Sequence, residues 1–105
     1  MELTRPDGSP LRVLVVDDEV NIAELIAMAL RYEGWTVDLA HTGSKAVAAA
    51  KAERPDVVVL DWMLPDFDGM EVLHRMRSSD PGVPVLFLTA RDSVEDRVAG
   101  LTAGG

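Results

Sequence analysis

Val57-Val58-Val59-Leu60-Asp61 sets four branched apolar residues in a row and ends them on a single carboxylate. A short apolar run without alternation is the pattern of a strand buried on both faces, as in parallel sheets covered by helices on each side. Asp61 then closes a central strand, and in open α/β sheets ligands gather at the C-terminal ends of the strands. A lone aspartate at such a place more simply ends a strand and begins a turn. Two other stretches change that reading. Leu14-Val15-Val16 runs into Asp17-Asp18-Glu19, and Val85-Leu86-Phe87-Leu88 runs into Thr89. Three apolar strands that each deliver oxygen-bearing side chains describe one site.

The spans between these strands each carry a helical pattern. Val20 to Glu33 holds Ile22, Leu25, Ile26, Ala29 and Leu30 at helical spacing, which predicts one buried stripe, with Gly34 as the C-cap. Thr36 to Ala40 alternates Val37 and Leu39 with Asp38, as an edge strand does. Thr42 is placed to cap a helix over 43–53 whose Ala46, Val47 and Ala50 make a narrow stripe, and Pro55 blocks its continuation. Met63 to Gly69 is a loop punctuated by Pro and Gly. Asp68 and Glu71 then have the spacing of a capping box for a helix that buries Val72, Leu73 and Met76. A last helix is expected from a Ser93 cap, with Val94, Val98 and Leu101 inward. Crossovers of this length suit parallel strand pairs, so a right-handed βαβ array is the economical topology.

A chain of 105 residues suits one domain, read as 11–105 behind a flexible leader over 1–10 that contains Pro6, Gly8, Ser9 and Pro10. The absence of cysteine removes disulfides and thiolate chemistry and fits a reducing compartment. No apolar run approaches membrane-spanning length and the N-terminus lacks a signal-peptide core, so a cytoplasmic location without membrane contact is expected. A formal charge of −8, from 18 acids against 10 bases, argues against direct nucleic-acid binding by this segment.

If the first and third strands are neighbours, Asp17, Asp18 and Asp61 converge and repel one another. A hard divalent cation offsets that repulsion, and Mg²⁺, which takes one or two protein carboxylates together with phosphate oxygens, fits best. The competing reading of the Asp17-Asp18 pair is ordinary negative charge at a helix N-terminus. With a cation beside Asp61, a phosphoryl group is the natural guest, and the Asp61 carboxylate can act as nucleophile to form an aspartyl phosphate. Thr89 is placed to donate its hydroxyl to a phosphate oxygen, although a β-branched residue also suits a strand for its own sake. Ala90 is small enough to let the group approach the backbone. His41 and His74 are isolated, lack the spacing of a metal pair, and are expected at the surface.

Val15-Val16-Asp17-Asp18-Glu19, Leu60-Asp61-Trp62-Met63-Leu64-Pro65-Asp66-Phe67-Asp68-Gly69 and Leu88-Thr89-Ala90-Arg91, in that order, resemble the receiver domain of bacterial two-component response regulators. The likeness covers residues 12–105. It implies an α/β, flavodoxin-like, doubly wound parallel sheet, of strand order 2-1-3-4-5 in the whole family and 2-1-3-4 here. It further implies that Asp61 is the phosphoacceptor, charged by a sensor histidine kinase. Asp18, Asp61 and the backbone carbonyl of Met63 would hold Mg²⁺ directly, Asp17 would act mostly through water, and Thr89 would be the switch hydroxyl. The stretches Ala90-Arg91-Asp92-Ser93 and Gly100 to Gly105 resemble the subgroup that carries a winged-helix DNA-binding domain after the receiver, which implies a transcriptional output through DNA contacts made elsewhere.

The family's pattern continues into a fifth strand with a lysine, an aromatic switch residue and a fifth helix, none of which has a counterpart in this sequence. The chain is therefore read as a truncated receiver. An uncovered fourth-strand edge and a thinly covered sheet face then predict a homo-oligomer, formed through that edge or by exchanged elements.

Three other classes compete with a phosphoacceptor that is not a turnover enzyme. One is a receiver-like interaction module that is not phosphorylated. A hydrolase of the haloacid dehalogenase kind also forms an aspartyl phosphate, but it would carry an Asp-x-Asp motif on its first strand, where position 19 is Glu. A flavodoxin-like cofactor binder would need small or hydroxyl residues where Asp17-Asp18-Glu19 stands.

Overall fold

The computed structural model describes residues 4–88. Along them run β1 (Arg12–Val16), α1 (Val20–Tyr32), β2 (Thr36–Ala40), α2 (Gly43–Glu53), β3 (Val57–Asp61), α3 (Gly69–Ser79) and β4 (Val85–Leu88). The strands form one sheet in the order β2-β1-β3-β4, and every pairing is parallel. The parallel pairing is the one expected from the apolar runs and crossovers, and the order is the doubly wound one that the receiver resemblance implies. Thr89, Ala90 and the helix expected from Ser93 lie outside the described residues.

Successive strand residues point to opposite faces, so each apolar run feeds two cores. Leu14, Val16, Val58 and Leu60 pack with Ala46 of α2 and Val72, Leu73 and Met76 of α3. Val13, Val15, Val37 and Val59 pack with Ala23 and Ala27 of α1. Burial on both sides is why β1 and β3 cannot alternate apolar with polar residues. β2, an edge strand, does alternate, and it half-exposes Asp38 to an ion pair with Arg12 at 3.2 Å.

The buried face of α1 differs from the expected one. Ala23 and Ala27 are fully buried, with Ile26 and Leu30 packed beside them, whereas Ile22, Leu25 and Met28 are exposed. The helix is apolar on more than one side, so spacing alone selects no face. Contact with the sheet favours the two alanines, whose small side chains let the helix axis come close.

Local signals at the helix ends work as the residue types suggest. After α1, the Gly34 amide donates to the Arg31 carbonyl at 2.9 Å and the Trp35 amide to the Leu30 carbonyl at 3.3 Å. With Gly34 at φ +92°, this is a Schellman ending. The Thr42 hydroxyl caps α2 by accepting from the Lys45 amide at 3.1 Å. Asp68 caps α3 by accepting from the Glu71 amide at 2.8 Å. The reciprocal half of the expected capping box is replaced: the Glu71 carboxylate instead accepts from Arg75 Nε at 2.7 Å, one turn along.

Residues 4–10 fold into a turn closed by a bridge between Thr4 and Pro10. Arg5 ties that turn to Asp56 at 2.7 Å, an anchor that the Pro- and Gly-rich composition does not announce. Among the described residues no helix is long and apolar enough to cross a membrane.

Candidate functional site

The site follows from register. Val16 of β1 is paired with Leu60 of β3, so the next residue on each strand, Asp17 and Asp61, emerges at the same level of the sheet's C-terminal edge. The β1 backbone continues one step further, the Asp17 amide donating to the Ala40 carbonyl at 3.1 Å. There the chain turns, because Asp17 Oδ1 accepts from the Glu19 amide at 2.9 Å. That turn brings Asp18 around, and one carboxylate oxygen from each of Asp17, Asp18 and Asp61 lies within 4.8 Å of the others. Asp17 and Asp61 are 4% and 3% exposed, while Asp18 stands at the open side.

The electrostatics are unbalanced. Burial first, and the neighbouring charge of Asp17 next, push the Asp61 carboxyl up to about 6; the Met63 amide opposes this and Asp18 adds to it. That amide sits 3.5 Å from Asp61 Oδ1, a long and weak contact. The ion pairs among the described residues involve Arg5, Arg12 and Arg75 and none of the three aspartates. Three clustered oxygens with no ion-pair partner among the described residues form a donor set that suits a hard divalent cation, and the residues present fit Mg²⁺.

The loop after β3 is held from several sides. The Trp62 amide donates to the Leu88 carbonyl at 2.9 Å, and the Gly69 amide to the Trp62 carbonyl at 2.7 Å. Asp66 reaches across to the start of α2, accepting from the Gly43 amide at 2.7 Å and the Ser44 amide at 2.9 Å. Burial works against its ionised form, yet these amides and those of Asp66 and Phe67 hold its carboxyl below the usual range. Gly69 cannot carry a side chain without cost, since a Cβ there would lie 2.9 Å from Phe87 Cε1, 3.1 Å from Trp62 Cα and 3.2 Å from the Asp61 carbonyl oxygen. The Trp62 and Phe87 rings meet at 5.1 Å between centroids, tilted by 57°, and Trp62 directly follows Asp61 in the chain.

The structure thus brings together Asp17, Asp18 and Asp61, with Met63 at the start of the held loop. Thr89 and Ala90 fall outside the described residues. His74 is exposed as expected, but His41 is part-buried, with Nδ1 2.9 Å from the Asp17 carbonyl oxygen. The signal for this was present, since His41 directly follows β2, the strand beside β1, at the same end of the sheet.

Comparison with known proteins places this geometry among relatives. A family model described as Response regulator receiver domain matches residues 13–105. The chain is 64% identical over 103 residues to the probable transcriptional regulatory protein TcrX of Mycobacterium tuberculosis, covering 98% of this chain and 44% of that protein. It is 49% identical over 94 residues to the response regulator MprA of Mycobacterium ulcerans, covering 90% of this chain and 40% of the relative. The chain therefore spans less than half the length of these curated relatives. Among solved structures, a CheY-like receiver domain protein from Methanospirillum hungatei superposes with a TM-score of 0.81 at 32% identity, over 92% of this chain and 78% of that one. The chemotaxis protein CheY4 of Vibrio cholerae gives 0.81 at 31% identity, over 92% and 82%.

Proposed function

This chain belongs to the response regulator receiver domain family, and from that premise we propose that Asp61 accepts a phosphoryl group from a sensor histidine kinase. Asp18, Asp61 and the Met63 carbonyl would hold Mg²⁺ directly, with Asp17 acting mostly through water. The observation that carries this reading is the meeting of three carboxylates from two strands within 4.8 Å. Bound Mg²⁺ would supply positive charge to the trio and to the oxygens of the incoming group.

The chain's own residues account for the rest. Asp61, ionised above a pH of about 6 in the metal-free protein, presents a carboxylate oxygen in line with the phosphorus–nitrogen bond of the donor. The phosphorus–oxygen bond forms as the phosphorus–nitrogen bond breaks, leaving the donor imidazole free and an acyl phosphate on Asp61. The Glu19 amide fixes the Asp17 carboxylate, and the Met63 carbonyl would come from the loop of 62–69, which the Trp62–Leu88 and Gly69–Trp62 bonds clasp. Thr89 would donate its hydroxyl to a phosphoryl oxygen, and Ala90 would leave that oxygen room to approach. Each molecule accepts one group, so the domain is a switch and not a turnover enzyme.

The relatives' names as transcriptional regulatory protein and response regulator support a transcriptional output; DNA would be contacted by a domain outside this acidic segment, and such an output would be exercised in the cytoplasm. Incubation with acetyl phosphate and Mg²⁺ is expected to add the mass of one phosphoryl group to the wild-type chain and none to Asp61→Asn. Equal addition to both would place the acceptor elsewhere.

Chains are also proposed to associate with one another. Among the described residues β4 has a strand neighbour on one side only, and it leaves Leu86 54% exposed, which favours pairing through that edge or exchange of elements. Sedimentation is expected to show species larger than a monomer as concentration rises; a monomer throughout would remove this part of the reading.

A further inference from the structure

We propose that His41 is a positioning residue: its imidazole, acting through the Asp17 carbonyl, holds the turn that presents Asp17 and Asp18 to Asp61. The inference rests on the reading of those carboxylates as a cation site. The β1–β2 ladder has its last strand pair at Val16 and Ala40, and the Asp17 amide still donates to Ala40. In a parallel ladder the next bond would run from the Asp17 carbonyl to the amide of Thr42. Thr42 has already turned away to cap α2, its hydroxyl accepting from Lys45. The His41 ring takes the place of that amide, with Nδ1 at 2.9 Å from the Asp17 oxygen. A carbonyl only accepts, so Nδ1 must carry the proton.

Asp17 is thereby held at three points: its amide by Ala40, its carboxylate by Glu19 and its carbonyl by His41. The carbonyl that His41 grips belongs to the peptide unit joining Asp17 to Asp18. Because a peptide unit is planar and rigid, fixing its oxygen also fixes the direction in which the chain leaves toward Asp18. Asp17 is 4% exposed, so water compensates poorly for the lost donor. His41 touches none of the reacting atoms and acts only through this peptide.

Two substitutions separate positioning from bulk. His41→Ala removes the donor, whereas His41→Asn puts an amide nitrogen on Cγ, where Nδ1 was. In the metal-free protein, hydrogen exchange of the Glu19 amide is expected to speed about fivefold in His41→Ala and to stay within about twofold of wild type in His41→Asn. Mg²⁺ affinity, followed by Trp62 emission, is expected to weaken about fivefold in the first variant and to recover in the second. The proposal is overturned if His41→Ala leaves Glu19 exchange unchanged, or if His41→Asn behaves like His41→Ala. Should the wild-type protein bind no Mg²⁺, the cation reading falls, and Glu19 exchange still decides whether His41 holds the turn.

Discussion

Asp61→Asn is expected to stabilise the metal-free protein at pH 7 by about 2 kcal/mol, moving its thermal midpoint up by about 10 °C. The sign follows from the raised carboxyl. Burial and the Asp17 charge lift the Asp61 carboxyl from its ordinary 3.8 to about 6. Between those values the folded state keeps a proton that the unfolded chain has released, so stability falls as pH rises through this window. Above a pH of about 6 the whole cost is present; below about 4 it is absent. The full shift would correspond to about 3 kcal/mol, and water at the open Asp18 side screens part of it. Asparagine keeps the shape and an acceptor for the Met63 amide while carrying no charge. Urea unfolding of both proteins from pH 4 to pH 8 checks this, with the gap opening toward neutral pH. A gap that is absent at pH 7, or that widens toward acid, would show that Asp61 is not a buried and unbalanced charge.

The same imbalance makes the site compete for protons and cations. Ligation requires the ionised carboxylate, so Mg²⁺ affinity is expected to drop about tenfold between pH 7 and pH 5, as Asp61 takes up its proton. Asp61→Asn should bind at least about tenfold more weakly at pH 7, and its remaining affinity should vary little across that range. Added Mg²⁺ then reverses the stability order, because it stabilises the folded wild-type protein far more than the variant. Trp62 directly follows Asp61 in the chain and meets Phe87 in a tilted ring contact, so its emission is expected to report the titration. Affinity independent of pH would mean that Asp61 stands outside the coordination sphere.

Much of this was legible in the residues, because burial on both faces leaves so strong a mark. The bounds of β1, β2, α2 and β3 follow from apolar runs, a Thr cap and Pro55, and the parallel pairing follows from the lengths of the crossovers, while the strand order comes with the receiver resemblance. The convergence of Asp17 and Asp61 is a matter of register: two strands paired through Val16 and Leu60 must deliver their next residues side by side. The buried face of α1, which differs from the one its spacing predicts, has a different origin. Its residues are apolar around most of the circumference, and periodicity records spacing without recording how near the sheet lies. Ala23 and Ala27 win because only small side chains permit the close approach. His41, as an isolated histidine, carries no spacing signal. Its contact exists only once β2 is laid beside β1 and the next amide in the ladder has been diverted into a helix cap.

Paramagnetic broadening by Mn²⁺, an oxygen-seeking stand-in for Mg²⁺, tests most directly whether one cation sits among the three carboxylates. In a backbone amide spectrum at pH 7, substoichiometric Mn²⁺ is expected to erase first the resonances of 17–19 and 61–63, and to spare them in Asp61→Asn. Broadening that spreads to the exposed Glu24 of α1 and to Glu33 after it, or that is the same in both proteins, would contradict a shared site.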